Sequence, residues 1–345
     1  MRGDAEEFVA AVPLPSVLIR RDERIQAANE TALSLFGQAI RGRHFITALR
    51  QPNLLDTIEA CLRDPKAREC EYLTSDGRQD TTYKVTVRPV SLDDGPGVMV
   101  CFEDMTSQEQ VSQMRRDFVA NVSHELKTPL TAVIGFIETI RGPAKNDSAA
   151  QERFLTIMEN EAHRMNRLVG DLLSLSRVEA EERVRPTTSV NPAQLIQSTV
   201  DGLERLMQET GVSVAVDLPD TDFEIRGDAD QLRQVLNNLT ENAVKYAGQG
   251  ASVKVSLSLP NYEARLRCEG IRIKVSDTGQ GIDPLHLPRL TERFYRVDSH
   301  RSREMGGTGL GLAIVKHIVN RHRGRMRIKS KLGEGTKFTV ILPSD

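Results

Sequence analysis

Residues 118–131 read FVANVSHELKTPLT. They lie within residues 106–183, a run rich in Glu, Arg, Gln, Leu and Met, whose one internal break is RGPAKND at 141–147. Before that break Met114, Phe118, Val122, Leu126, Leu130, Val133, Ile137 and Ile140 recur every three or four positions. After it Phe154, Met158, Met165, Leu168, Leu172 and Leu175 do the same. That period is helical, so the pattern predicts two long amphipathic helices joined by a short turn. Two such helices cannot bury their stripes fully against each other alone, and the economical solution is a dimer that makes a four-helix bundle.

His124 stands out against this stripe. At 100° per residue it lies about 200° from Val122 and from Leu126, so it projects away from the buried side into solvent. Glu125 is adjacent and suited to orient the imidazole or take its proton, which leaves the other nitrogen as a nucleophile. Pro129 has no N–H for the carbonyl of Glu125, so a bend is expected one turn beyond His124. A zinc-protease reading fails, because Thr128 stands where H-E-x-x-H needs its second histidine.

C-terminal to the helices, residues 190–345 turn to mixed α/β. Strand-like runs begin at Val212, Ser252, Ile271, Arg325 and Lys337, and helix-like runs cover 194–208, 229–246 and 309–321. The expectation is one sheet with helices on one face. Four clusters carry chemistry or charge. NNLTENAVKY at Asn237 puts Asn238 and Asn242 four apart on one helix face, with Lys245 one position further round. Two amides and an ammonium suit a hydrated magnesium and phosphate oxygens, although a plain polar helix face explains this cluster alone equally well. SDTGQGID at Ser276 follows a strand; Asp277 there can accept a hydrogen bond from an exocyclic amine, and Gly279 and Gly281 allow close approach of a ligand to the backbone. GGTGLGL at Gly306 runs into an amphipathic helix and makes an anion site, with Arg293, Arg296, Arg301 and Arg303 available from the preceding polar loop. It is not a Walker A loop, since no G-K-[ST] follows, and no strand immediately precedes it as a Rossmann fingerprint requires. RHRGRMRIKSK at Arg321 is basic, but its alternation reads as the solvated face of a strand.

The N-terminal region mixes short apolar runs with turn signals, including strand-like stretches at Tyr83 and Gly97 around DDGPG at Asp93, and suggests a small α+β domain. The whole chain of 345 residues is 39% hydrophobic and 27% charged with a net charge of −2, an ordinary globular profile that offers no global basic field for nucleic acid. Cys61, Cys70, Cys101 and Cys268 are scattered, which fits free thiols in a reducing compartment. MRGDAEEF lacks a signal peptide's opening, and no stretch approaches the ~20 apolar residues of a membrane helix. The expected location is the cytoplasm, with association at the inner face of the plasma membrane left open.

Taken together, FVANVSHELKTPLT, NNLTENAVKY, DTGQGI and GGTGLGLAIVKH occur in the order found in sensor histidine kinases of bacterial two-component systems, and residues 106–345 resemble that family. The resemblance implies a multidomain α+β chain. Residues 1–105 form a PAS-like sensor domain, supported by RIQAANETALSLFG and CFEDMT. Residues 106–185 form the dimerisation and phosphotransfer hairpin of a dimeric four-helix bundle. Residues 190–345 form the split-sheet ATP-binding sandwich shared with gyrase and Hsp90-type ATPases. Carried over by position, His124 is the phosphoacceptor, Glu125 its acid/base partner, and Thr128 positions a water for dephosphorylating the regulator. Asn242 is the magnesium ligand, supported by Asn238, with Lys245 on the phosphates and Asp277 on the adenine amine. Tyr246, Gly279, Gly281, Arg296, Gly307, Thr308, Gly309, Leu310 and Gly311 complete the nucleotide site, and residues 294–308 form its lid.

The implied cofactors are ATP and Mg2+. The implied partners are a second copy and the receiver-domain aspartate of a response regulator, with no direct nucleic acid. MGGTGLGLAIVKHIVNRHRG, and LTERFYRVD with Thr291 where many relatives carry phenylalanine, resemble phosphate-regulon sensor kinases most closely, which adds phosphate-starvation signalling and a phosphate-transport complex as partner. Other readings compete: a non-catalytic PAS-and-bundle scaffold, a phosphatase-dominant sensor with a regulatory ATP site, and an ATP-driven conformational machine on the same fold. The scaffold needs no Asn242, Asp277 or glycine cluster, and the machine needs no exposed His124–Glu125 pair. His44 is a weak haem candidate, and the sensor ligand is not legible.

Overall fold

The computed structural model describes residues 4–75, 80–92, 95–298 and 307–344. Asp93 and Asp94 of the expected turn, and residues 299–306 of the expected lid with Arg301 and Arg303, lie outside the described residues. The chain divides into two compact units, residues 1–120 and 121–345.

In the first unit, α1 (Asp4–Ala10) precedes β1 (Ser16–Arg20) and β2 (Ile25–Ala28). Next come α2 (Glu30–Phe36), α3 (Phe45–Leu49), α4 (Pro52–Arg63), β3 (Arg68–Ser75), β4 (Asp80–Leu92) and β5 (Gly95–Asp104). The sheet is antiparallel in the order β2-β1-β5-β4-β3. Val17, Ile19, Val85, Val87, Val100 and Phe102 of the strands are buried in one cluster with Phe45, Leu54 and Ile58 of the helices. Leu54, Ile58 and Cys61 are the buried face of α4, spaced as a helix requires. Asn29 caps α2 by accepting from the Ala32 amide at 3.0 Å, and accepts from Ser16 N at 3.0 Å, which fixes α2 against β1. At the β3 edge the Gln51 amide group accepts from Leu73 N at 3.2 Å and donates to Leu73 O.

Helix α5 (Thr106–Arg141) spans the division between the units and continues through Pro129. Helix α6 (Ser148–Glu181) is capped by Asp147, whose carboxylate accepts from Ala150 N at 2.9 Å. The two helices meet where Phe136 and Phe154 stack at 5.2 Å and where Arg164 pairs with Glu125. Leu168 and Leu175 are buried as expected, but Leu130, Ile134 and Ile137 on α5, and Leu155, Val169 and Leu173 on α6, remain exposed in the single chain.

Beyond the hairpin, β6 (Ser189–Val190) leads to α7 (Pro192–Asp201) and α8 (Glu204–Thr210). The single helix expected over 194–208 is thus two, because α7 ends at Gly202, whose N–H closes its last turn onto Ser198 O at 3.2 Å. Then come β7 (Ser213–Asp217), β8 (Ile225–Arg226), α9 (Ala229–Ala247), β9 (Ser252–Leu257), β10 (Asn261–Glu263), β11 (Cys268–Asp277), α10 (Gly311–Arg321), β12 (Arg325–Lys331) and β13 (Gly335–Pro343). The main sheet runs β12-β13-β11-β9-β7, antiparallel except for the parallel β7/β9 pair, and β10 adds to β11. One sheet face, with Val253, Val255, Ile273, Val275 and Val340, is buried with the apolar stripes of α9 and α10. The other face is open over most of its extent, with Ile341 at one end buried. The short β6/β8 ribbon was not expected. Among the described residues no helix is long and apolar enough to cross a membrane, and the four cysteines are free.

Candidate functional site

The second unit holds a cavity of about 440 Å³ between α9, the end of β11, the start of α10 and α6. Asn238, Asn242, Lys245 and Tyr246 reach it from α9, Asp277 from β11, and Gly281, Arg296, Gly307, Thr308, Gly309 and Gly311 from the loops. Eleven separately named residues from three sequence clusters therefore share one wall. Gly279 and Leu310 do not line it. Leu310 is fully buried at the foot of α10, and Gly279 serves Asp277 through its amide.

Asp277 sits where the β11 strand ends. Its Oδ1 accepts from Gly279 N at 2.9 Å and from Thr336 N at 3.2 Å, which leaves Oδ2 for a donor on a ligand. Burial pushes the carboxyl up from its ordinary range, and the backbone donors pull it back. The glycines have a different reason from the one expected. A Cβ on Gly281 would stand 2.1 Å from Lys331 O, and one on Gly279 2.7 Å from Ala247 Cα. A Cβ on Gly311 would stand 2.7 Å from Asn238 Oδ1. The close approach that these positions permit is to the protein's own chain, and it brings the walls of the cavity together.

Several wall residues escaped sequence reading. Asp171 on α6 accepts from Thr308 Oγ1 at 2.6 Å, and Thr308 Oγ1 in turn accepts from Leu310 N at 3.2 Å. Burial raises the Asp171 carboxyl, opposed by the Thr308 hydroxyl. Glu241 forms an ion pair with Lys245 one turn along α9. Tyr295 lines the cavity with its hydroxyl 2.6 Å from His286 Nδ1 and the Arg289 guanidinium 4.2 Å over its ring. Glu241 and Tyr295 stand inside quoted motifs, whereas Asp171 carries no local signal at all.

His124 is exposed on α5, as its angular position predicts. Thr128 Oγ1 donates to the His124 carbonyl at 3.1 Å. The Glu125 carboxylate is gripped by two guanidiniums: Arg164 Nη2 at 2.8 Å, and Arg296 Nη2 at 3.1 Å with Nη1 at 3.4 Å. Arg296 also lines the cavity, so one side chain joins the cavity wall to the neighbour of His124. His44 Nε2 lies 2.9 Å from Glu23 Oε2 in the first unit.

These residues fit a magnesium nucleotide. A half-buried carboxylate with Oδ2 left over suits an exocyclic amine, amide oxygens of Asn238 and Asn242 suit a hard cation, and a glycine-rich helix start suits phosphates.

Residues 114–181 match the His Kinase A (phospho-acceptor) domain, and residues 227–345 match the histidine kinase-, DNA gyrase B- and HSP90-like ATPase domain. The chain is 40% identical over 241 residues to the phosphate regulon sensor protein PhoR of Pseudomonas aeruginosa, covering 70% of this chain and 53% of that protein. It is 36% identical over 267 residues to the sensor-like histidine kinase SenX3 of Mycolicibacterium smegmatis, covering 77% of this chain and 67% of that one. The histidine kinase ThkA, solved in complex with response regulator protein TrrA, shares the fold at a TM-score of 0.53 and 20% identity, covering 99% of this chain and 98% of that one. The chain spans about half the length of several curated relatives it matches, PhoR among them. With both domain models matched in sequence order and SenX3 covered over two thirds of its length, the chain belongs to the sensor histidine kinases.

Proposed function

We propose that this chain binds Mg-ATP in the cavity of its second unit, phosphorylates His124, and passes the phosphoryl group to an aspartate of a response regulator. The observation that carries the reading is Arg296, which lines the cavity and holds the carboxylate next to His124. An imidazole nitrogen of His124 forms the new N–P bond as the bond from the γ-phosphorus to its bridging oxygen breaks, and ADP leaves with that oxygen. The proton on the other ring nitrogen passes to Glu125. Asn242, supported by Asn238, would hold magnesium, which would supply charge neutralisation at the phosphates; Lys245 and Arg296 contribute the protein's own cations. Asp277 fixes the base, and so sets the register of the phosphates along the wall.

Residues 1–105 serve as a PAS-like sensor domain, 106–185 as the phosphotransfer hairpin and 190–345 as the catalytic domain. The exposed apolar lines of α5 and α6 support a homodimer. Thr128, one turn from His124, positions a water for removing the phosphoryl group from the regulator. The four free thiols suit a reducing cytoplasm. The likeness to a phosphate regulon sensor supports phosphate signalling, with a phosphate-transport complex as a further partner.

The test is incubation with ATP labelled at the γ-phosphate, wild type beside His124→Gln. Acid-labile, base-stable label on the wild type alone supports the reading. Equal label on both removes His124 as acceptor, and no label with ATP bound leaves the scaffold reading.

A further inference from the structure

The open face of the β12-β13-β11-β9-β7 sheet can be read row by row from its register, since residues directly opposite share a face. One row runs Arg325, Ile341, Arg272. The next runs Arg327, Thr339, Lys274, Ser256, Asp217. The third runs Lys329, Lys337, Ser276, Lys254, Ala215. The basic tract at the C-terminus, which looks like one solvated strand in sequence, is therefore one edge of a cationic field four strands wide.

Few acids answer it. Asp217 takes Lys254 at 2.7 Å and the buried Glu263 takes Arg272. Lys274, Arg325, Arg327, Lys329 and Lys337 have no carboxylate partner among the described residues. Lys329 stands directly opposite Lys337, an arrangement that disfavours the strand pair. Edge protection explains cations on β12, an outer strand. It does not explain Lys274 and Lys337, which lie on inner strands. The field has no aromatic residue on which bases would stack and no helix raised above it to enter a groove. Its ends carry exposed apolar side chains instead: Leu332 at the β12–β13 tip, and Leu259 and Tyr262 at the opposite end. A flat cationic surface with apolar and tyrosine side chains at its margins matches the headgroup region of an acidic bilayer.

We propose that this open sheet face docks the second unit on an anionic phospholipid surface. The test is co-sedimentation of the full chain with vesicles of phosphatidylcholine alone, and of two parts phosphatidylcholine to one part phosphatidylglycerol. Binding is expected only to the second, and is expected to fall as salt is raised towards ~0.1 M, where the screening length is about 10 Å. The combined variant Lys274→Gln, Arg327→Gln, Lys329→Gln, Lys337→Gln should lose at least about a hundredfold in partitioning, at about tenfold per one to two cations. A companion with the three lysines as arginine should bind like wild type, which separates charge from folding. Equal binding to both vesicles, salt-independent binding, or full binding by the glutamine variant overturns the proposal. So does capture by a DNA duplex with no vesicle binding.

Discussion

Arg296 Nη2 lies 3.1 Å from Glu125 Oε2, and both side chains are nearly closed to solvent at 7% and 15% exposure. The carboxylate that would take the proton of His124 is thus held by a cation of the nucleotide cavity. Glu125→Gln should keep ATP affinity within a few-fold and lower the autophosphorylation rate by about 10²–10⁴, the usual contribution of a positioned proton acceptor. Calorimetry and label incorporation check the two halves; a rate within a few-fold of wild type would remove Glu125 from the chemistry.

Asp171→Asn should stabilise the second unit in a pH-dependent way. Burial raises the Asp171 carboxyl above its unfolded value. Below the ordinary carboxylate range both states carry the proton, and the buried site costs nothing extra. As pH rises through that range the unfolded chain ionises first, so the wild type loses stability until the raised value is passed. The melting temperature of the variant should match wild type in acid and exceed it at neutral pH. A difference that does not vary with pH would contradict the burial argument. The Thr308 hydroxyl retains an acceptor in the asparagine Oδ1.

Leu130 and Leu173 are 51% and 65% exposed in the single chain. Burying a leucine is worth about 1.5–3 kcal/mol, so replacing both with aspartate should weaken the dimer by at least a hundredfold. Light scattering should find a dimer for the wild type and a monomer for the variant. A wild-type monomer would leave the apolar lines without their proposed partner.

Gly281→Ala and Gly333→Ala make a matched pair. Both glycines have positive φ, 70° and 78°, so both lose about 1–2 kcal/mol to backbone strain. Only at Gly281 would the new Cβ meet a backbone oxygen, whereas nothing lies within 4 Å at Gly333. Gly281→Ala should therefore also weaken ATP binding at least tenfold, while Gly333→Ala should melt earlier with unchanged affinity. Equal affinities would show that the loop yields without disturbing the cavity.

Thr128→Ala should leave autophosphorylation intact and slow dephosphorylation of the regulator by about tenfold or more, the scale for one positioned polar group. Measuring both rates on one preparation decides it, and an equal fall in both would reassign Thr128 to the helix itself, where its hydroxyl now caps the His124 carbonyl.

The helical hairpin was legible because its period persists over many turns and because RGPAKND interrupts it once. The clusters at Asn237, Ser276 and Gly306 were legible because each keeps its chemistry within a few residues. Asp171 was not, because it is one acid on a polar helix face and only the packing of α6 beside Thr308 gives it meaning. Helix α4 was missed although Leu54, Ile58 and Cys61 have helical spacing, since the short Pro52–Arg63 segment sits among turn signals. The cationic sheet face was hidden for another reason. Lys274 and Lys337 join Arg327 and Lys329 only through strand pairing, which no local window contains.

The Gln51 amide at the β3 edge gives the first unit a further property. Its oxygen and nitrogen occupy both the N–H and the C=O of Leu73, the two groups that an incoming strand would need there. One side chain thus acts as a stopper one residue long. Intermolecular sheet extension along β3 is barred at Leu73, so two copies of this unit that pair edge to edge are directed to β2, the opposite edge of the sheet.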